Sequence, residues 1–415
     1  MPATEPISLL LSGGGPLGVA FETGALICLE DLFSDGFLPP VQAIIGSSAG
    51  AVTGAFLAIG LSPQLILKSL SGRFPDEIEY FDPSILLAFD RDQVPNPFLG
   101  LWRGLRFFLA DLTRPRRTAS LAERKQRYDG YLRRVDDVIN LIPNGWFSLA
   151  GLEQFLRRNL SDNKGRLYGF DHLRSDLFIC ATDLSAGHAV LFGKKKFREH
   201  ITTTPFFSKH QYVDGESLAH AILCSSAIPF LFVPHGRERT ILVDGDTRNS
   251  AAVGVAKSLV GARFMVTINP LVPLPQVGRT SRTSHLFLQT LLTALEGNIV
   301  ANLKLEFEEK YHRETHGEES FDIIYFRPTA EDMQMMTEGA VVNLFRYQPL
   351  NAYFGYRRMF ETMRDHPAEA EAILARYGYR FDLALAERRY AVLQRHRRTA
   401  DALEDALLLP REQLV

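Results

Sequence analysis

The feature that most constrains this chain is a Gly-Ser-Ser-Ala-Gly sequence that directly follows a short apolar run. The run, Val41 to Ile45, predicts a buried strand, and the uncharged residues after it predict a helix. A strand that turns this sharply into a helix leaves little room for Cβ atoms, which favours glycine at Gly46 and Gly50. The turn would project the Ser48 hydroxyl beyond the sheet edge, so Ser48 is the candidate nucleophile. The alternative is a plain Gly/Ser-rich loop.

A second glycine-rich segment lies near the start of the chain. Ile7 to Leu11 predicts a buried strand that runs into Ser-Gly-Gly-Gly-Pro-Leu-Gly, after which Val19 to Leu29 predicts a helix. Backbone N–H groups at such a junction can hold a phosphate group or the oxyanion of an acyl intermediate, because both are anions at a helix N-terminus. The motif alone leaves both possibilities open.

A dinucleotide site at this loop would need an acidic residue at the end of the second strand, about 20 residues on. The acids nearest that spacing, Glu30 and Asp31, fall at the end of the first predicted helix instead. A phosphate loop ending in Gly-Lys-Ser/Thr does not occur in the sequence. The spacing therefore disfavours a nucleotide cofactor.

The candidate general base is Asp244, which follows the short β-prone run from Thr240 to Val243. An Asp at a strand end is often only a turn former. Asp214, which also precedes a glycine, is the competing acid, but it comes before a predicted helix at 217–226 instead of closing a strand. Asp244 is therefore preferred.

A triad with histidine is the other catalytic alternative. The chain has 11 histidines, and four of them lie in predicted loops or helix ends: His200, His210, His220 and His235. An ordinary α/β-hydrolase has several strands before its nucleophile elbow, whereas here one strand is predicted before it. The early elbow favours an acid acting without histidine.

Five motifs, in this order along the chain, resemble those of the patatin-like phospholipases, a family of serine acyl hydrolases. They are the glycine loop Gly13 to Gly18, the elbow Gly46 to Gly50, Ala181-Thr182-Asp183-Leu184, Ser225-Ser226-Ala227-Ile228-Pro229, and Asp244-Gly245. The resemblance covers about the first 270 residues. It implies a three-layer α/β/α patatin-like fold with a mostly parallel central sheet.

The resemblance also implies a catalytic dyad. Ser48 would attack an ester carbonyl and Asp244 would take its proton. The oxyanion hole would consist of backbone N–H groups from the two glycine motifs, at Gly13, Gly14, Gly15 and Ala49. An Asp ordinarily titrates near 4, so burial and a direct hydrogen bond would have to supply its basicity.

Two residues depart from the family pattern. Leu17 stands where the family usually has a basic residue that helps to order the loop, although backbone donors to the oxyanion survive this change. Asp246 stands where Gly or Ala is usual, and a second carboxylate would raise the pKa of the first.

Composition agrees with a large enzyme. The 46 basic and 48 acidic residues give a net charge of −2, which gives no reason to expect nucleic acid as a partner.

Three cysteines in apolar segments predict reduced core thiols and a reducing compartment. The N-terminal residues show no secretory signal, so the expected location is cytoplasmic, with peripheral membrane contact as an option. No metal or cofactor motif is found.

The alternation of strands and helices predicts a mostly parallel sheet with helices on both sides. An uncharged stretch from Phe37 to Leu67 is long enough to cross a bilayer, but its Gly, Ser and Pro content favours a buried strand and helix. The predicted catalytic domain is 1–270, with a cap-like helical insertion at 72–145, and 271–415 is a mainly helical extension. The helices after Arg380 could mediate homo-oligomer formation.

Within the insertion, residues 101–127 contain eight basic side chains against two acidic ones, interleaved with aromatic residues. A segment of this kind can lie on an anionic membrane, or it can be a solvated helix that covers the active site, and the second interpretation is preferred.

The expected activity is that of a lipid acyl hydrolase, of phospholipase A or lysophospholipase type, acting through an acyl-enzyme on Ser48. Two alternatives stay open: an inactive patatin fold that binds lipid or protein, and an acyltransferase that uses the same dyad.

Overall fold

The computed structural model describes the residues in the following ranges: 5–33, 41–73, 78–88, 144–162, 164–203, 210–236, 240–248, 254–272, 293, 321–337, 349–397 and 399–414. Most of the predicted insertion at 72–145, including the basic segment 101–127, therefore lies outside the described residues.

The described strands form one mostly parallel sheet of eight strands in the order β5-β4-β3-β2-β1-β7-β8, with β6 paired to β3. Their bounds are β1 Ile7–Leu11, β2 Val41–Ser47, β3 Asp176–Asp183, β4 His188–Phe192, β5 His210–Val213, β6 Leu242–Asp244, β7 Phe264–Ile268 and β8 Asp322–Phe326. Only the pairs β3–β4 and β3–β6 are antiparallel. The α/β class with a mostly parallel central sheet is confirmed.

The helices follow the strands in the alternation that the sequence predicted. The α-helices are α1 Gly15–Leu32, α2 Ala49–Ala58, α3 Pro63–Ser71, α4 Ala150–Asn159, α5 Arg198–Thr203, α6 Leu218–Ser225, α7 Ala330–Thr337, α8 Pro349–Asp365, α9 Pro367–Arg376, α10 Leu383–His396 and α11 Ala400–Leu408. A π-helix spans Val255–Leu259, and short 3₁₀ turns lie at Pro83–Leu87, Phe170–His172, Lys195–Phe197, Gly245–Arg248 and Arg411–Gln413.

Hydrophobic cores lie on both faces of the sheet. In β1, Leu9 and Leu11 point into the larger core with α1, α2, α3 and α8, whereas Leu10 points into a smaller core with the π-helix and Ile201 of α5. This alternation is the period of two expected of a strand whose faces are both covered. The fold therefore has three layers, α/β/α.

Helix α1 lies between the sheet and α8 and is buried on nearly every side. The two helices approach so closely that a Cβ on Gly24 would lie 1.9 Å from the Ala352 carbonyl oxygen, and one on Gly355 would lie 1.9 Å from that of Phe21. Leu17, which departs from the pattern of the resembled family, is fully buried in the larger core.

The residues after 270 join the same architecture. Strand β8 extends the sheet by pairing in parallel with β7, and Leu403 and Leu407 of α11 are buried in the larger core. A domain division at residue 270 and self-association through the last helices remain predictions. No described helix has the length and apolar character needed to cross a membrane.

Candidate active site

The sharp turn predicted at Ser48 is present. Strand β2 ends at Ser47 and α2 begins at Ala49, and Ser48 between them has φ 51° and ψ −114°. A residue other than glycine with positive φ is strained and occurs where the surrounding structure enforces it. The glycine requirement is steric, since a Cβ on Gly50 would lie 2.1 Å from the carbonyl oxygen of Leu11.

A second serine holds the elbow in place. The Ser48 amide donates a hydrogen bond to Ser225 Oγ at 2.8 Å, and Ser225 Oγ donates to the Cys180 carbonyl oxygen at 2.6 Å. Ser225 is the last residue of α6 and is completely buried. Sequence reasoning placed Ser225 in a family motif and assigned it no role, because the contact joins residues 177 positions apart.

Asp244 lies beside Ser48 in the folded chain. The Ser48 hydroxyl lies close enough to the Asp244 carboxyl group to lower the pKa of that group. Both residues are buried, with 4% and 2% of their surface exposed. Strand β6 delivers Asp244 by pairing it with Ala181 of β3, and the Asp244 amide donates to the Ala227 carbonyl oxygen at 2.9 Å.

The competing residues lie in other environments. Asp214 follows β5 and forms an ion pair with Arg198, which lowers the pKa of Asp214. His220 and His235 pack ring against ring, with centroids 5.3 Å apart. Among the described candidates, Asp244 is the one for which an interaction with the Ser48 side chain is present.

Burial dominates the electrostatics of the site. It raises the pKa of Asp244 to about 8, and repulsion from Asp246 adds to this, while the hydrogen bond from Ser48 opposes it. Burial likewise raises the pKa of Asp246 to about 6 and that of Glu22 on α1 well above its ordinary value. No Lys, Arg or His among the described residues contributes to these three shifts. The described residues also contain no group of three or more His, Cys, Asp or Glu arranged to hold a metal ion.

The glycine loop lies against the elbow. The Gly13 amide donates a hydrogen bond to Asp246 Oδ2 at 2.6 Å, and a Cβ on Gly13 would lie 3.1 Å from Ser48 Cβ. Gly13 was expected to donate to an oxyanion, but in this structure its N–H group is already engaged by a carboxylate.

Two helix N-termini meet at Ser48. Helix α1 begins at Gly15 and α2 at Ala49, and both residues line the same cavity as Ser48. A Cβ on Gly18 would lie 3.0 Å from Ala49 Cβ, so the two helices touch at their first turns. The first amides of a helix have no intrahelical acceptor and favour negative charge. The arrangement can stabilise an anion next to Ser48.

The cavity at Ser48 has a volume of about 620 Å³, including its open mouth. Apart from Ser48, Ser69 and Ser226, its lining is apolar and comes from α1, α2, α3, α4 and the loops near them. Phe155 of α4 contacts Phe56 and Phe81 edge to face, with ring centroids 6.0 and 4.9 Å away. The cavity is therefore lined by Ser48 and by a wall of aromatic side chains.

Comparison with known proteins gives one family match. The family model described as patatin-like phospholipase matches residues 9–257. The fold search finds VipD from Legionella pneumophila, at TM-score 0.34 and 16% identity, covering 88% of this chain and 68% of that one. It also finds the ExoU–SpcU complex from the type III secretion system of Pseudomonas aeruginosa, at TM-score 0.27 and 16% identity, covering 99% and 68%. No curated protein matches the sequence.

Proposed function

The chain belongs to the patatin-like phospholipase family, and from this premise we propose that it is a lipid acyl hydrolase with Ser48 as nucleophile and Asp244 as general base. The observation that supports the proposal most directly is the position of the Ser48 hydroxyl, which lines an apolar cavity and is close enough to the Asp244 carboxyl group to lower its pKa. Neither side chain has another catalytic partner among the residues described.

In the first step, Ser48 Oγ attacks the ester carbonyl carbon and its proton passes to the Asp244 carboxylate. Collapse of the tetrahedral intermediate releases the alcohol, which takes that proton, and leaves the acyl group on Ser48. Water then attacks the acyl-enzyme, giving its proton to Asp244, and the free acid leaves as Ser48 recovers its hydrogen. Acylation and deacylation each begin with Asp244 in its ionised form.

The oxyanion would be held by amides at the two helix starts. Ala49 and Gly15 line the cavity and are proposed donors. Gly14, which precedes Gly15 in the loop, is a further proposed donor. Gly13 supports the loop through Asp246 instead. Preorganised N–H groups aimed at a developing negative charge commonly contribute the largest single effect in acyl transfer.

The cavity supports a fatty acyl group as the part of the substrate that is recognised. Each methylene that leaves water contributes roughly 0.8 kcal/mol, so an apolar pocket of this kind favours a hydrocarbon chain over a small polar acid. The aromatic wall at Phe56, Phe81 and Phe155 would limit the length of chain that fits.

Two further parts of the proposal concern where the protein acts. The expected location of the protein is the cytoplasm, and the protein would bind its lipid substrate at a membrane surface. Contact through the basic segment 101–127 remains a prediction that concerns residues outside the described ranges.

The test combines labelling and product analysis. A fluorophosphonate probe should label the wild-type protein and not Ser48→Ala, and incubation with a mixed lipid extract should release free fatty acids. Asp244→Asn should lose nearly all turnover, whereas Asp214→Asn, in an exposed ion pair, serves as the matched carboxylate control. Absence of labelling would favour a binding module, and transfer of the acyl group to an alcohol would identify an acyltransferase.

A further inference from the structure

Asp246 is buried beside the proposed dyad and takes no part in the reaction steps above. Only 1% of its surface is exposed, yet it bears a carboxyl group in a position that Gly or Ala usually occupies in the family. A buried ionisable group without a compensating partner is costly, so its contacts need an explanation.

Two contacts of this residue connect the base to the glycine loop. Its backbone N–H donates to Asp244 Oδ1 at 2.9 Å, and its Oδ2 accepts the Gly13 N–H at 2.6 Å. Gly13 follows β1 at one side of the elbow, and Asp246 follows β6 at the other, 233 positions along the chain. One residue therefore orients the general base with its amide and fixes the loop with its carboxylate.

The contact is also close in space to the nucleophile. A Cβ on Gly13 would lie 2.3 Å from Asp246 Oδ2 and 3.1 Å from Ser48 Cβ, so Gly13 lies between the two side chains. Movement of Gly13 would carry the amides of the next loop residues away from the nucleophile, because these residues are consecutive.

We propose that Asp246 is a positioning residue, which holds the glycine loop against the elbow through the Gly13 amide. The inference rests on the proposed function of Ser48 and Asp244. The Asp246 carboxylate would keep the oxyanion donors at the correct distance from Ser48. A displacement of about 1 Å between catalytic groups can lower a rate by roughly a hundredfold.

The groups that face Asp246 are acidic. They are Asp244 on β6, Glu22 on α1 and Cys180 on β3. Burial is the largest cause of the raised pKa of each group, and the nearby charge of Asp246 raises it further. Removing the charge at position 246 while keeping an acceptor oxygen should thus lower the pKa of Asp244. Two variants at position 246 separate the effect of the hydrogen bond to Gly13 from the effect of the charge on Asp244.

Asp246→Asn keeps an oxygen that can accept the Gly13 N–H, and Asp246→Ala removes it. Hydrolysis of a para-nitrophenyl fatty ester is measured across pH for both. We expect kcat of Asp246→Ala to fall about tenfold to a hundredfold with little change in KM. Asp246→Asn should retain kcat within a few-fold on its alkaline plateau, and its acid limb should move to lower pH.

Hydrogen–deuterium exchange supplies a readout that does not depend on activity. Peptides that contain Gly13 should exchange faster in Asp246→Ala than in wild type, and Asp246→Asn should stay close to wild type. If Asp246→Ala does not fold, the pH profile and exchange of Asp246→Asn decide.

Wild-type kcat in Asp246→Ala, equal losses in both variants, or unchanged exchange at Gly13 would each overturn this inference alone. A wild-type protein that does not hydrolyse the ester through Ser48 would instead overturn the proposed function, while the exchange experiment would still report on the loop contact.

Discussion

Ser225 Oγ accepts the Ser48 amide at 2.8 Å and donates to the Cys180 carbonyl oxygen at 2.6 Å, so one buried hydroxyl joins the elbow to the neighbouring strand. The backbone of Ser48 is in a region that residues with a Cβ rarely adopt, and this conformation needs support from the residues around it. Helix α6, which carries Ser225, therefore helps to fix the backbone at Ser48.

Replacement of this serine tests that support. In Ser225→Ala, the buried Ser48 N–H and Cys180 carbonyl would both lose their hydrogen bond to this hydroxyl, and a buried donor left without an acceptor costs about 1–3 kcal/mol. We expect kcat to fall at least roughly tenfold, with KM nearly constant because the acyl cavity is untouched. Ser71→Ala, whose hydroxyl donates within its own helix α3, is the control and should retain wild-type kinetics. Unchanged kcat in Ser225→Ala would show that the elbow holds its shape without this hydroxyl.

The elements nearest the elbow could be predicted from sequence. Strand β1 has the predicted bounds, Ile7 to Leu11, because it is a continuous apolar run that ends at small residues. The elbow could be located for the same reason, since Gly46 and Gly50 mark a turn that no larger residue fits. Boundaries were less accurate: α1 begins at Gly15, four residues before the predicted start at Val19. The backbone amides between Gly15 and Val19 could form hydrogen bonds in a loop or in a helix. Tertiary packing therefore decides where the helix begins.

Contacts between distant residues could not be predicted. Asp246 was interpreted as a departure from the family pattern that would disturb Asp244, and its contact with Gly13 gave no sequence signal. The role of Ser225 was missed for the same reason. Local patterns report burial and turns, whereas the partner of a buried hydrogen bond depends on how β6 and α6 meet the elbow in space.

The pH dependence of hydrolysis follows from the raised pKa of the proposed base. Asp244 accepts a proton only as a carboxylate, and burial, helped by repulsion from Asp246, raises its pKa to about 8. We expect kcat/KM to increase as the pH rises towards about 8 and to level off above it. A pH series with an ester that does not titrate measures this. A rate already constant from about pH 5 upward would mean that Asp244 titrates normally or is not the base.

The same shifts predict the opposite trend for stability. Asp244, Asp246 and Glu22 all have a higher pKa in the folded protein than in an unfolded chain. The folded state therefore binds more protons between the two values, and the free energy of unfolding should fall as the pH rises from about 4 to about 8. Urea midpoints across that range measure the trend, and Asp244→Asn should make it shallower. Equal slopes for wild type and Asp244→Asn would contradict the shift at this residue.

The aromatic wall of the cavity predicts a change in acyl-chain preference. Phe155→Ala removes the ring that contacts Phe56 and Phe81, so longer chains should be accepted and the optimum should move upward. The protein should lose about 3–5 kcal/mol of stability at the same time. Phe178→Ala is a matched control, because this equally buried ring lies in the core on the opposite face of the sheet. It should destabilise the protein and leave the chain-length profile unchanged. The same profile in both variants would exclude the wall as the limit.

A buried ion pair predicts how the C-terminal helices stabilise the fold. Arg389 of α10 and Asp31 of α1 are fully buried and form a salt bridge, and Arg389 Nη1 also donates to the carbonyl oxygens of Ala406 and Leu407 at 3.1 and 3.0 Å. Arg389→Ala leaves the buried Asp31 charge with the Tyr356 hydroxyl at 2.9 Å and the more distant Arg411 at 3.9 Å. We expect a loss of about 3–5 kcal/mol in the free energy of unfolding.

The exposed pair between Arg157 and Glu153, one turn apart on α4, is the control for this prediction. Arg157→Ala should change stability by less than about 1 kcal/mol, since solvent screens the pair. The double variant Asp31→Asn with Arg389→Met should be more stable than Arg389→Ala, because it removes the buried charge together with its partner. Urea unfolding of the three variants decides. If Arg389→Ala is no less stable than Arg157→Ala, the helices beyond residue 380 are held to α1 by apolar packing, and the ion pair adds little.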